Sequence, residues 1–598
     1  MAAIYHTPID YNAIADDTTF NDPLLELDTA IKYLYEMVDA LALGYSTQDM
    51  QLRSWSENMA NMLSGSTTIT YGPGNSHIMA TVTWPDGSTG HCDAAVYASA
   101  PGVLQAFTAS HLSSGKLVVK TIGDTVAAVI TPDWYVDSSA APGGTGTLAA
   151  PYDTLSDITL AAGDIVALRS GRTWREELEI DQDNVAVYRY GPGARPIIDC
   201  SSVVAAGGWT KTAGKTNVYQ ATISPDLQSQ ETWVRVWEDN VSLVRVADVA
   251  GCDATAGSYY PSSDTTAPIT LYVHASDASN PASSGKVYDC NLRRSALRAS
   301  NMAGITVDGI NTKRSLWGLG QVVTGRSAKI RYCRFEDGTK HNSYVGEGSY
   351  INFTTAHDCY YSAQASTLFV CYTQDAVGMG FVVENCTASM TTYSAYVTGF
   401  YQHPGDVSVL KLGPVTYRDI IATKCGYGAA NSGLEDSWTI DGATFTDVKN
   451  GFSLYGDAVI SNVTVTLGQD GGNHVSFEAA GLTLTMSDST LDANGHTISS
   501  GSIYSFRDDA VVNLDTVEFI NSVTSYGVNL TGDNSIVTAT GCFFNGNVIP
   551  YFLDDVALTS DYNRFLAAWY TFDVNGTHYA SVAAYQAGTG QDAHSTIG

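Results

Sequence analysis

A short phrase that recurs between residues 303 and 547 decides the fold. Its first copies are Ile305-Thr-Val-Asp-Gly-Ile310, Ile330-Arg-Tyr-Cys-Arg-Phe335 and Val382-Val-Glu-Asn-Cys-Thr387. In each copy, strand-forming residues flank a short turn that is usually made of Asp, Asn or Gly. Later copies begin at Tyr417, Ile440, Ile460, Met486, Leu514 and Ala539.

The turn positions of these copies recur at steps of 20 residues (Gly442 to Asn462) to 53 residues (Tyr332 to Asn385). Repeats of this length are typical of solenoids. A repeat made only of strands and turns indicates a parallel β-helix, in which each turn, or rung, packs against its neighbours. The longest step is about two ordinary steps and contains a candidate rung at Ile351-Asn-Phe353, so we expect two rungs there.

Composition narrows the class of protein. The chain has 598 residues, only 15% of them charged, with 55 Gly and 35 Tyr, which suits strands joined by tight turns. Its net charge of −31 disfavours nucleic acid as a partner. The first residues lack a basic start and an apolar run, and no stretch is apolar enough for a membrane span, so we expect neither a secretory signal nor a span. The ten Cys show no zinc spacing and are expected to be buried and reduced.

Residues 1–65 carry a helical pattern. Asp22-Pro23 is typical of a helix start, and apolar residues follow at heptad spacing: Leu24, Leu27, Ile31, Leu34, Val38 and Leu41. A second helical piece ends at Gly65. These helices either pack on their own domain or form an oligomer seam, and we favour the seam because little apolar surface is available locally.

The remaining chain is predicted to be β. Residues 66–132 are expected to form a small β domain, and residues 133–598 a right-handed parallel β-helix with a β-rich insertion at about 200–300. The first rung is predicted to start at Trp134-Tyr-Val-Asp137, with a short helical segment at Pro151–Ile158 over its open end.

Several motifs at the start of this region resemble right-handed β-helices of the pectate-lyase-like superfamily. They are Trp134-Tyr-Val-Asp137, the loop Ala141–Gly146, Pro151–Leu155, Gly163–Gly171 and Pro196-Ile-Ile-Asp199. The N-terminal part resembles the virion end of phage tail fibres and tailspikes, including a hairpin at Val82–Gly87. No catalytic motif of that superfamily is present, so the resemblance assigns no catalytic residue.

The resemblance implies a homotrimeric tailspike that is folded in the host cytoplasm, joins the virion and attaches to phage tail or baseplate proteins through its N-terminal region. Its β-helix is expected to bind a bacterial surface glycan during adsorption and to depolymerise it, as a glycoside hydrolase rather than a lyase. The alternatives are a spike without enzymatic activity on the same fold and, less favoured, a cellular polysaccharide lyase.

Candidate site residues come from the irregular early rungs, where acids, His and Tyr are dense, because carboxylates and aromatic rings suit sugar chemistry. Acids between 336 and 436 are predicted to serve as general acid and as base or nucleophile. The candidate catalytic residues are Glu336, Asp337, His341, Glu347, Asp375, His403 and Asp406. The candidate substrate-binding residues are Tyr344, His357, Asp358, Tyr360, Tyr361, Tyr401 and Glu435.

Each candidate also has a structural explanation. Glu336-Asp337-Gly338 can be a plain turn, His357-Asp358 a pair in a loop, and the tyrosines aromatic residues that stack between rungs. No cofactor or metal is expected. Bound Ca²⁺ stays an alternative because Asp and Asn abound in the loops, although no EF-hand pattern occurs.

Overall fold

The computed structural model describes residues 132–597 except 192, 227–233, 264–265, 317–321, 340, 347, 360–365, 374–379, 405–413, 432–436, 499 and 567–570. The chain divides into two units, Met1–Ile130 and Thr131–Gly598. In the first unit the structure describes the backbone of one four-stranded sheet, formed by Thr68–Tyr71, Met79–Thr83, Thr89–Asp93 and Val119–Thr121. The predicted helices at 22–65 lie outside the described residues.

The second unit is mainly strands, and most of them belong to one 36-stranded, almost entirely parallel sheet. This confirms the expectation of a mainly β chain with a large parallel sheet. Strands pair in parallel with strands one rung later, so that three stacks run side by side through the unit. Within the part described, no helix is both long and apolar enough to cross a membrane.

The first stack contains the strands on which the repeated phrase begins. Its members are Trp134–Val136, Ile165–Arg169, Ala186–Tyr190, Thr306–Asp308, Lys329–Arg331, Tyr350–Asn352, Phe381–Glu384, Val415–Arg418, Trp438–Asp441, Ala458–Ser461, the starts of Thr483–Asp492 and Val511–Leu530, Ser535–Thr540 and Val556–Asp561.

The second stack follows the turn of each phrase. Its members are Thr173–Trp174, Ile197–Asp199, Asn311–Lys313, Arg334–Gly338, Thr355–Cys359, the starts of Thr387–Pro404 and Ile421–Asn431, Thr444–Val448, Thr464–Leu467, the end of Thr483–Asp492, the middle of Val511–Leu530, the start of Phe543–Leu553, Arg564–Phe565 and Thr596–Ile597.

The third stack completes each rung. Its members are Leu178–Glu179, Leu297–Ala303, Val322–Arg326, His341–Gly346, Ser366–Thr373, the ends of Thr387–Pro404 and Ile421–Asn431, Asn450–Leu454, Val475–Phe477, Ile503–Ser505, the ends of Val511–Leu530 and Phe543–Leu553, and Phe572–Val574. The last of these pairs antiparallel with Thr577–Tyr579.

Residues 201–291 form two further, mostly antiparallel sheets. Their strands are Ser201–Val203, Thr210–Lys211, Tyr219–Ile223, Val236–Glu238, Val241–Ser242, Val244–Arg245, Ser258–Pro261, Ile269–His274 and Tyr288–Asn291. The described helices are Val249–Ala254, Val582–Thr589 and the 3₁₀ turn Ala206–Gly208.

The predicted helical segment at Pro151–Ile158 is wrong. This stretch forms a β-bridge, bends and a turn. Its backbone N–H groups have partners outside a helix: Tyr152 N–H donates to the Tyr135 carbonyl at 3.0 Å, and Leu155 N–H donates to Glu176 Oε2 at 2.7 Å.

The core consists of apolar residues at matching positions of successive strands. Phe519, Phe544 and Phe565 are fully buried and stack with ring centroids 4.9 and 5.5 Å apart. Each buried Phe contributes about 1.5–3 kcal/mol by leaving water. Nine cysteines of the described part are buried without disulfides, and burial raises the pKa of thiols such as Cys333, to about 12.

The turn between the first and second stacks has one conformation throughout the repeat. Its central residue has positive φ, for example 53° at Tyr332, 52° at Asn385 and 74° at Gly442. Phe353 also has φ 47° after the strand Tyr350–Asn352, which confirms the extra rung inside the longest step. The N–H of this residue donates to a carbonyl of the next rung, as from Asn385 to Arg418 at 2.9 Å.

Thr516 provides a test of this turn, because it is a β-branched residue at φ 58°, where its side chain is strained. We expect Thr516→Asn to raise the free energy of unfolding by about 1 kcal/mol, since Asn tolerates this conformation. Unfolding in denaturant measures the change. Thr464→Asn, at an exposed position of the strand Thr464–Leu467, is the control and should bring no gain. A gain of equal size in both variants would contradict the explanation.

Candidate active site

A line of polar side chains follows the first stack, one residue before the positive-φ turn of each rung. We call it the charged column. In six consecutive rungs its members are Asp308, Arg331, Asn352, Glu384, Arg418 and Asp441. The middle residue of each strand is buried, as Ile330 and Ile440 are. Because side chains alternate along a strand, the column lies on the opposite face from the core.

Opposite charges alternate along the column. Arg331 Nη2 lies 2.6 Å from Asp308 Oδ2. Arg418 Nη1 pairs in the same way with Glu384 Oε1. In the next three rungs the same position holds Ser461, Ser487 and Asp515.

Glu384 is held from two sides. Arg418 contacts Oε1, and the Tyr350 hydroxyl donates to Oε2 at 2.8 Å. Burial and the hydrogen bond to Glu384 raise the pKa of Tyr350 well above its ordinary value, so the phenol stays a donor at neutral pH. Asn352 contacts the same phenol and accepts from Asn385 at 3.2 Å. Glu384 therefore has a defined position on the surface.

Asp419 is the positive-φ turn residue that follows Arg418, with φ 48°. Burial, together with the nearby carboxylates of Asp441 and Glu384, raises its pKa above the ordinary range. Its carboxylate packs over Gly442: a Cβ at that glycine would lie 2.4 Å from Asp419 Oδ1. The glycine thus leaves room for the acid, and Asp419 binds a proton more readily than an isolated Asp.

Asp441 sits in the next rung and accepts hydrogen bonds from Ser461 Oγ at 2.9 Å and Asn462 Nδ2 at 2.7 Å. These two hydrogen bonds hold the Asp441 carboxylate near Asp419, and its negative charge contributes to the raised pKa of Asp419.

The arrangement offers two carboxyl groups with different environments. Glu384 is bound by a guanidinium and a phenol, whereas Asp419 is pushed toward its protonated form. They belong to neighbouring rungs, and neighbouring strands are spaced by about 4.8 Å. Pairs of carboxyl groups whose environments differ in this way perform general acid and general base chemistry.

Four of the predicted residues lie on strands of the second stack. Glu336 and His357 are register partners, and Glu336 forms an ion pair with Arg334. Asp337 and Asp358 occupy equivalent positions near the ends of the strands Arg334–Gly338 and Thr355–Cys359, with φ 58° and 53°. Both stretches lie inside strands, so the alternatives of a plain turn at Glu336-Asp337-Gly338 and a loop pair at His357-Asp358 are wrong, while the predicted roles of these residues stay predictions.

Four others lie on the third stack. His341 is buried, with its ring 6.0 Å from that of Tyr344, which in turn lies 4.9 Å from Tyr372. Tyr401 is half-buried in the strand Thr387–Pro404. His403 belongs to the same strand, and only its backbone is described.

The other candidates fall outside the described residues, so their roles also stay predictions. They are Glu347, Tyr360, Tyr361, Asp375, Asp406 and Glu435.

The predicted range of catalytic acids, 336–436, contains Glu384 and Asp419, but sequence reasoning named neither of them, and Asp441 lies outside the range. The sequence does contain a pattern that marks these residues. When the repeated phrases are aligned on their turn residue, the position before the turn holds charges of alternating sign in the early rungs. In later rungs the same position holds Ser, Thr or Asp. A column that alternates in charge across strands is the pattern expected of paired side chains on one face.

Among the residues that the structure describes, no group of three or more His, Cys, Asp or Glu side chains is arranged to hold a metal ion.

No known protein family matches the sequence, and no curated protein is similar to it. Among solved structures, the complex of XylC with xylose aligns with 68% of this chain and 85% of its own, at 10% identity and TM-score 0.43. A rhamnogalacturonan lyase aligns with 69% and 82% of the two chains, at 11% identity and TM-score 0.31. The tailspike protein gp49 from Pseudomonas phage LKA1 aligns with 69% and 67%, at 12% identity and TM-score 0.21. With all three TM-scores below 0.5, these similarities decide neither fold nor activity.

The raised pKa of Asp419 predicts a pH-dependent effect on stability. Ionisation of this group opposes folding, so we expect Asp419→Asn to be more stable than the wild type at pH 7. Because Asp419 is only partly withdrawn from water and solvent screens the neighbouring charges, the gain should be about 0.5 kcal/mol or less. It should vanish as the pH falls below about 3.9, the unfolded-state pKa, where the carboxyl is protonated in both states.

Urea unfolding at a series of pH values measures this difference. Asp488→Asn is the matched control for the backbone effect of Asn, because Asp488 occupies the same turn position with φ 46°. A gain for Asp419→Asn that is the same at every pH would contradict the electrostatic explanation.

Proposed function

We propose that this chain is a phage tailspike whose right-handed parallel β-helix binds a bacterial surface polysaccharide and cleaves it as a glycoside hydrolase. The observation that carries the proposal is the pair formed by Glu384, held by Arg418 and Tyr350, and Asp419, whose pKa is raised. Glycosidic bond hydrolysis requires two such carboxyl groups near each other, and these two lie on neighbouring rungs.

The fold part of the proposal is supported by the constant order of the stacks. Each rung passes from the first stack to the second and the third before it returns to the first. Connections between parallel strands of one sheet are right-handed in about 98% of cases. Rungs of this kind coil into a right-handed β-helix with the charged column along its outside.

In the proposed reaction, Asp419 is the general acid that protonates the glycosidic oxygen, and Glu384 is the base that activates water or the nucleophile that attacks the sugar. Arg331 and Arg418 would bind acidic groups of the glycan, since guanidinium forms paired hydrogen bonds with carboxylates. A column that repeats at the strand spacing suits an extended chain of sugars.

A second candidate function is adsorption without cleavage. It is favoured by the ion pair between Glu384 and Arg418, because a carboxylate engaged by guanidinium is a weaker base or nucleophile. In this case the column would serve only to recognise the glycan.

Cleavage is tested with the full chain on a panel of purified bacterial capsular and O-antigen polysaccharides. New reducing ends report hydrolysis, and the absorbance of unsaturated uronates reports elimination. On a glycan that is cleaved, we expect Glu384→Gln and Asp419→Asn each to reduce the rate at least about 100-fold, because each removes one half of the acid–base pair.

Asp515→Asn is the matched control, because Asp515 holds the column position in a later rung, and its activity should stay that of the wild type. Binding to a glycan without any product would favour adsorption alone. Cleavage that survives both substitutions would place the reaction elsewhere.

The trimer is a separate part of the proposal and rests on the heptad spacing of residues 24–41. Light scattering of the wild type should give three times the chain mass of 63.6 kDa. We expect the double variant Ile31→Asp, Leu34→Asp to lower this mass, since charges in an apolar seam are unfavourable.

The control places the same charges outside the seam, as Thr29→Asp with Lys32→Asp, and should keep the wild-type mass. A wild-type mass equal to one chain would overturn the trimer.

A further inference from the structure

A second polar cluster lies on the second stack, away from the charged column. His357 and Ser389 are register partners in neighbouring rungs, on the strands Thr355–Cys359 and Thr387–Pro404. The residues next to them in the strands, Ala356 and Ala388, are buried. Alternation along the strand therefore directs His357 and Ser389 outward.

The three side chains form a continuous chain of contacts. Ser389 Oγ lies 2.8 Å from His357 Nδ1. On the other side of the ring, His357 Nε2 lies 3.3 Å from Asp358 Oδ2. In the tautomer with its proton on Nε2, the imidazole accepts from the serine hydroxyl and faces the carboxylate. This order of hydroxyl, imidazole and carboxylate is the arrangement that activates a serine nucleophile.

The carboxylate is fixed by its surroundings. Asp358 is buried, and it accepts from the N–H of Thr391 at 2.7 Å and from the Thr391 hydroxyl at 2.8 Å. That hydroxyl oxygen also lies 3.1 Å from His357 Nε2. Asp358 and Thr391 together therefore hold the ring with Nδ1 toward Ser389.

The cluster is open to solvent and has a positive charge beside it. The His357 side chain is 35% exposed, so a substrate can reach the ring from solvent. Lys424 Nζ donates to the Thr391 carbonyl at 3.2 Å, which brings a positive charge beside the cluster. A cation at this place can stabilise an oxyanion that forms on a reacting carbonyl.

We propose that Ser389, His357 and Asp358 form a second active site, which hydrolyses O-acyl esters. Ser389 is the nucleophile and His357 the general base, while Asp358 and Thr391 are positioning residues. The substrate class is small acyl esters, such as the acetyl esters of sugar hydroxyls. Only this link to sugars rests on the proposed glycan-binding function; the ester chemistry does not.

In the first step Ser389 Oγ attacks the ester carbonyl and its proton passes to His357 Nδ1. The C–O bond to the alcohol then breaks, the alcohol leaves with the proton from His357, and the acyl group stays on Ser389. In the second step water loses a proton to Nδ1 and attacks the acyl-serine. The carboxylic acid leaves, and the proton returns to Ser389.

The test uses the full chain and p-nitrophenyl acetate, a probe that contains no sugar. We expect saturable release of p-nitrophenol and, after rapid acid quench, an acetyl group on the peptide that contains Ser389. Ser389→Ala and His357→Gln should each lower kcat/KM at least about 100-fold. Asp358→Asn keeps a residue that tolerates φ 53° and should lower kcat while leaving KM unchanged.

Thr446→Ala is the matched control, because Thr446 occupies the position equivalent to Ser389 two rungs later on the second stack. This variant should retain the wild-type rate. Ser389→Cys, which keeps a nucleophile, should recover part of the activity. Circular dichroism melting of each variant separates loss of catalysis from loss of folding.

A wild-type rate equal to that of Ser389→Ala, or acetylation of other residues only, would overturn the site. Neither result would bear on glycan cleavage, since no glycan is present in the assay. Conversely, if Glu384→Gln and Asp419→Asn cleave polysaccharide like the wild type, the ester proposal stands unchanged.

Discussion

One hydrogen bond recurs through the parallel unit and sets the position of everything around it. In the six turns from Gly309 to Gly442, the N–H of the positive-φ residue donates to the carbonyl of the residue just before the turn in the next rung, as from Asp419 to Asp441 at 2.9 Å. The left-handed conformation lets the chain change direction without removing this donor from the parallel ladder. Residues as different as Tyr332, Thr516 and Gly442 adopt it, because the neighbouring rungs impose it.

This bond also explains where the candidate active site lies. The carbonyl that accepts it belongs to the charged column, as at Glu384, Arg418 and Asp441, so these backbones are tied to the preceding rung. A rigid backbone lets Glu384 and Asp419 keep unlike environments one rung apart. The unfavourable ionisation of Asp419 is then a local cost to stability, which the stacked core offsets, as is common where function requires a strained or charged group.

The repeated phrase predicted the strands, the turn positions and the extra rung at Ile351-Asn-Phe353, because these depend on neighbours within a few residues. The candidate site was harder to predict. Density of acids and His in the early rungs pointed to loops, whereas the column consists of single residues about 20–34 positions apart in sequence, such as Glu384 and Arg418. The prediction of a helix at Pro151–Ile158 was wrong because of contacts with residues that are far away in sequence. Glu176 and the Tyr135 carbonyl accept hydrogen bonds from backbone N–H groups of this stretch.

The sequence by itself determined the class of structure: strands and tight turns in rungs, an acidic chain that disfavours nucleic acid, and a buried stripe of apolar residues. These follow from local propensity and composition, which act along the chain. Only the tertiary structure decided which polar groups meet. Register between rungs brings Glu384 to Arg418 and His357 to Ser389, and burial and neighbouring charge then set the pKa of Asp419. The contacts between these side chains and the shift in pKa both depend on distances between strands, which cannot be read from the order of residues.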